Sequence, residues 1–249
     1  MMKKLLALAT TAVLGLLVAP VTHAQDVYMD MFNSANQAAV SMSLVNINNA
    51  AVLASARNAE AEKRSGRATT ATTAKRNVSL AYTSTPALRQ QTVQNLARQM
   101  QAKNASAGQA INNAFGPGKT DYNQLFGQMV QQSGLPANNA ATAFAAYLEI
   151  AYVAVNGVPE ASVTPAMDRA IQRQTTSLLG TNKALTSPAA VARLGEEMKL
   201  QAVVLYLSWQ TAKKNGQEAQ FKSNLASNFK SKGLDLSDLR LTSNGLVKK

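Results

Sequence analysis

The chain has 249 residues and a formal charge of +12, contains no cysteine, and carries its single histidine at position 23. No disulfide, thiol nucleophile or thiolate metal ligand is available, and once His23 leaves with a leader, imidazole triads and His-ligated zinc are excluded as well. Carboxylates, lysines, tyrosines and hydroxyls are what remains for chemistry.

The opening "MMKKLLALATTAVLGLLVAPVTHAQD" sets Lys3 and Lys4 before an apolar stretch from Leu5 to Val18, then Pro20 and Thr22-His23-Ala24. That order predicts a signal peptide cleaved after Ala24 and a periplasmic or secreted product. The apolar stretch is shorter than the roughly 20 residues that span a bilayer, so no membrane span is expected after cleavage. No cysteine follows it to carry a lipid. The mature chain of 225 residues would keep a charge of +10 and is long enough for a sizeable core.

Residues 25–81 are predicted to be an N-terminal arm and a mobile linker. "VSMSLV" alternates as a strand would, but residues 57–81 hold almost no large apolar group before Val78 and cannot offset their ordering entropy. Residues 82–249 read as a helical domain. Thr85-Pro86, Thr164-Pro165 and Ser187-Pro188 each supply a capping hydroxyl followed by proline at the first helical position. Six helices follow at apolar spacing: one from Thr85, one over Tyr122 to Val130, one capped by Asn138 or Asn139 and stopped at Gly157, one ending near Gly180, a long one through Trp209, and one from Glu218 to Lys232. The tail "LDLSDLRL" reads as a short helical turn over the bundle rather than a strand. The fold class is therefore all-α, a compact bundle of about six helices built around the third and fifth, with a flexible N-terminal arm.

The third helix, "NNAATAFAAYLEIAYVAVNG", is apolar round almost its whole circumference, which marks it as central. Thr142, Glu149 and Asn156 recur every seven residues as one polar strip. The bland expectation is that Glu149 reaches solvent or pairs with Arg169 or Arg173 of the next helix. The functional alternative is a desolvated carboxylate with a raised pKa, which needs a second carboxylate nearby, and Asp168, Glu196 and Glu197 are the candidates.

"GPGKT" from Gly116 has the end of a phosphate loop but Asn113 where the first glycine belongs, so a turn between helices explains it better. "SNFK" from Ser227 has Ser-x-x-Lys spacing without companion motifs. From Lys199 to Lys249 there are nine basic and three acidic residues. Lys213, Lys214, Lys222, Lys230 and Lys232 form a candidate anion-binding surface there. Trp209 is expected in the core.

From about Tyr82 to Leu246 the chain resembles an uncharacterised family of exported bacterial proteins, a domain of unknown function with an all-helical core. "NNAATAFAAY", "AVNG", "RAIQRQ", "LGEEMKLQAVVL" and "GLDLSDLRLTSNGL" carry the likeness. It implies no activity and assigns no functional residues. Three functions remain: a non-catalytic binding module of the cell envelope, contacting an envelope protein or an anionic envelope component; a carboxylate-dependent hydrolase of an envelope polymer using Glu149 with Glu196 or Glu197; and a carrier of a small apolar ligand. No cofactor, metal or specific nucleic-acid binding is expected.

Overall fold

In the computed structural model the described residues are 79–249, apart from 103, 181, 183, 184 and 186. The leader, the arm, "VSMSLV" and all but the last residues of the linker lie outside them. Seven α-helices and one hairpin follow in order: α1 Pro86–Gln101, α2 Ala105–Phe115, α3 Tyr122–Gln131, α4 Ala140–Asn156, α5 Pro165–Gly180, α6 Pro188–Lys214 and α7 Glu218–Ser231, then β1 Leu239–Thr242 and β2 Gly245–Lys248. Single 3₁₀ turns occupy Glu160–Ser162 and Leu236–Asp238.

The helix starts are fixed as the capping chemistry requires. Thr85, Thr164 and Ser187 accept from the amides of Leu88, Met167 and Ala190, at 3.2, 3.4 and 3.2 Å. Of the two asparagines before α4, Asn139 is the cap, accepting from Ala141 and Thr142 at 2.8 and 3.2 Å, and Gly157 ends the helix at φ 64°. Thirteen of the 17 residues of α4 are buried. The long helix α6, about 40 Å at 1.5 Å per residue, packs along it, and the two form the centre. On α6, Val191, Leu194, Met198, Ala202, Leu205, Trp209 and Ala212 are all buried. Helix α5 covers another side of α4, α1 and α3 lean on α6, and α7 crosses both central helices, with Phe229 stacked on Tyr147 at 5.9 Å between ring centroids.

The sequence count of about six omits α2. Asn104 caps that helix, and it packs so closely on α1 that a Cβ at Gly108 would lie 2.6 Å from the Ala97 carbonyl. Ala107, Ile111, Ala114 and Phe115 form its buried stripe at helical spacing, so the helix follows the same local rule as the others.

The tail is a second correction. After one 3₁₀ turn it becomes an antiparallel hairpin in which Leu239 faces Lys248 and Thr242 faces Gly245. Asn244-Gly245 is the turn signal, and Gly245 takes φ 96°, where a side chain would be strained. Leu239 and Leu246 are buried, and the Gln174 amide of α5 pairs with the Leu246 backbone, accepting at 2.9 Å and donating at 3.0 Å. A Cβ at Gly245 would collide with that amide.

Candidate functional site

Helix α6 buries charge in its first half. "LGEEMK" places Gly195, Glu196 and Lys199 inward, and neither Glu196 nor Lys199 exposes any side-chain surface. The Lys199 ammonium donates to Glu196 Oε1 at 2.9 Å, Asn123 Oδ1 at 2.6 Å and Asn138 Oδ1 at 2.7 Å, which uses all three of its protons. Glu196 Oε2 accepts from the Tyr122 hydroxyl at 2.5 Å. The Tyr82 ring lies 5.2 Å from the ammonium and fills the space where Gly195 lacks a Cβ. Burial, then the charge of Glu196, raises the Tyr82 and Tyr122 phenols far above their ordinary range, while burial lowers Lys199 against the pull of Glu196. The segment before α1 is held here too: Tyr82 N–H donates to Asn138 O at 3.1 Å, and Ala140 N–H to Leu80 O at 2.9 Å. This cluster ties four parts of the chain together and leaves its ionic groups satisfied.

The second half of α6 borders a cavity of about 120 Å³, lined also by the end of α3, by α4, and by the 3₁₀ turn with the start of α5. Met129, Ala145, Ile150, Val153 and Val163 make its walls apolar. Asp168 enters from the first turn of α5, where the helix dipole favours a carboxylate. The Ser133 hydroxyl donates to Asp168 Oδ2, and Arg169 donates to the Ser133 carbonyl at 3.3 Å. The other oxygen, Asp168 Oδ1, is buried and has no donor among the described residues. Glu149 of α4 stands against it. Burial, then the charge of Asp168 and the hydrogen bond between the two carboxyls, push Glu149 well above the usual carboxylate range. Glu149 therefore favours its neutral form beside the Asp168 carboxyl.

A second polar group lines the same cavity. Glu160 accepts from Lys213 at 2.7 Å and from Gln210 at 3.1 Å. Burial, then Glu160, raises the Tyr206 phenol, which stays neutral. Trp209 is 4 % exposed, its indole N–H has no acceptor among the described residues, and the Lys213 ammonium sits 3.9 Å from its ring centroid.

No ion pair joins Glu149 to Arg169 or Arg173 among the described residues, and the residue is half-buried. Of the three candidate partners, only Asp168 stands beside it. Glu196 is consumed by Lys199 and Tyr122, about 15 Å along α6 from Tyr206 by helical rise. Glu197 lies in a shallow groove with Thr92, Asn95 and Leu200, where burial, opposed by Arg193, raises it to about 7. Sequence reasoning missed Ser133, Glu160 and the second role of Trp209. Each comes from a separate element, and only the fold brings them together.

The lysines are dispersed. Lys213, Lys222 and Lys230 pair with Glu160, Glu218 and Asp235 at 2.7, 3.3 and 3.1 Å. Lys214 is exposed, Lys232 is half-buried, and Lys199 belongs to the interior. "GPGKT" is the turn from α2 to α3, with Gly118 at φ 72°, and "SNFK" lies within α7. Among the described residues no three acidic side chains come together as a metal cluster, and no helix is long and apolar enough to cross a membrane.

No curated protein matches the chain, and no solved structure matches it. A family model does match, over residues 3–249, and so takes in the segment before Tyr82 that the sequence likeness left outside. The chain belongs to that family, DUF6683, a family of unknown function.

Proposed function

We propose that the chain is an exported, non-catalytic binding module that takes a small, largely apolar ligand into the cavity between α3, α4, α5 and α6. One observation carries this reading: an apolar cavity of about 120 Å³ whose lining residues Asp168 and Trp209 each keep a buried polar atom without a partner. An unpaired buried polar atom costs about 1–3 kcal/mol, and such costs concentrate where a ligand supplies the missing partner. The volume approaches the roughly 150 Å³ of a cavity that holds benzene. Export rests on the leader-like opening, and an N-terminus at Gln25 in the mature protein is the result expected from sequencing it.

The hydrolase alternative, which pairs Glu149 with Glu196 or Glu197, draws less support, because Lys199 and Tyr122 already engage Glu196.

Trp209 is the only tryptophan and lines the cavity, so its fluorescence reports entry. Titration with toluene and with 1-butanol should give a saturable change. Ala146→Phe, which fills the cavity from α4, should abolish it while the circular dichroism stays helical. No saturable response to either probe in the unmodified protein would sink the reading.

A further inference from the structure

The carboxyl pair sets the ligand's chemistry, and this step rests on the cavity reading above. Glu149 and Asp168 bring two acids to one wall of an apolar cavity, and Ser133 donates to only one of the four carboxyl oxygens. Asp168 Oδ1 is buried with no donor, which leaves a place for a group that brings several protons and a positive charge. The remaining wall is apolar and ends at Trp209, whose unpartnered indole N–H can meet an acceptor on the same ligand. We propose that the cavity is a site for a small primary amine, whose ammonium sits between the Glu149 and Asp168 carboxyls while its carbon chain lies against Ala145, Ile150 and Val153.

The other charged groups around the cavity do not compete for this role. Glu160 is already neutralised by Lys213, Tyr206 stays protonated, and Arg169 is turned to the Ser133 carbonyl. The end of α3 and its following loop contribute no titratable side chain to the lining. An ammonium favours the ionised form of Glu149, so binding releases the Glu149 proton to the buffer. Affinity should therefore rise with pH through the titration of Glu149, until the amine itself loses its proton near pH 10.

The test compares n-butylamine with 1-butanol, which share a chain and differ in the head group, by calorimetry and Trp209 fluorescence at pH 6 and pH 8. The amine is expected to bind at least tenfold tighter than the alcohol at pH 8, with the margin shrinking at pH 6. Calorimetry in two buffers of different ionisation enthalpy should show the release of about one proton. Glu149→Gln should erase the margin while the alcohol still binds. If the alcohol binds and the amine binds no tighter, the amine site is wrong and the cavity reading stands. If neither binds, both fall. Asp168→Asn, which leaves Glu149 in place, gives a second variant should Glu149→Gln not fold, and an undiminished preference for the amine in the folded variant would overturn the proposal.

Discussion

Around Glu196 every proton of Lys199 is donated and both carboxylate oxygens are occupied. Around Glu149 two carboxyls face each other, one oxygen lacks a donor, and the space beside them is open enough to hold a ligand. Both regions border α6, and both bury carboxylates that sequence alone cannot rank. What separates them is satisfaction. A buried charge with all its partners specifies the fold, whereas one without them is a cost that the fold retains beside a cavity.

The largest test of this contrast is Lys199→Met. It strands Glu196 as a buried carboxylate with Tyr122 as its remaining donor, and should cost about 3–5 kcal/mol in urea denaturation. Adding Glu196→Leu should recover much of that loss, since an apolar pair of similar size can replace a buried ion pair. A single-variant cost below about 1 kcal/mol would show that the cluster does not clamp the fold. Gly195→Ala comes next, at about 1–3 kcal/mol, because the new methyl must displace the Tyr82 ring and with it the segment that pairs with Asn138 and Ala140. Protection of the Tyr82 and Ala140 amides from hydrogen exchange should fall first.

Glu197 provides a smaller test, through pH. Its folded pKa of about 7 lies above the ordinary glutamate value of 4.5, so the native state holds this proton more tightly than the unfolded chain. Its contribution is fully present below about pH 4.5 and is lost as pH rises towards and through 7. Glu197→Gln should remove that decline and be more stable than the natural chain at pH 8 by roughly 1–2 kcal/mol. An unchanged pH profile would place the Glu197 carboxyl in solvent rather than in the groove beside α1.

Most of the architecture was legible because it rests on local rules. The Thr-Pro and Ser-Pro starts, the glycine stop after α4 and the apolar stripe of α6 each depend on residues a few positions apart. Helix α2 carries the same local signal in Ala107, Ile111, Ala114 and Phe115 and was overlooked, whereas the hairpin was less legible because the Gln174 amide that holds it lies 72 positions from Leu246. The site divides in the same way. Glu149 was conspicuous as a lone acid on an apolar helix, and Asp168 was among its candidate partners. Ser133, Glu160 and Trp209 carried no signal, since a serine in a loop, an acid in a 3₁₀ turn and a core tryptophan look ordinary until the fold collects them.

The smallest stability effect is expected at Glu149, and it is the one that distinguishes the two regions most directly. Because its folded pKa is raised, Glu149 stabilises the native state only while protonated. That contribution is present below the unfolded value near 4.5 and is lost as pH rises through the folded value, where two carboxylates would repel each other in an apolar wall. Glu149→Gln keeps the shape and removes the titration. Its amide can donate to Asp168 Oδ1, the oxygen that now lacks a donor. Denaturation at pH 5 should therefore differ from the natural chain by no more than about 0.5 kcal/mol, and at pH 8 the variant should be as stable or more so. A loss at pH 8 as large as that of Lys199→Met would make Glu149 a structural charge like Glu196, because an acid whose removal is so costly must be holding partners rather than awaiting one.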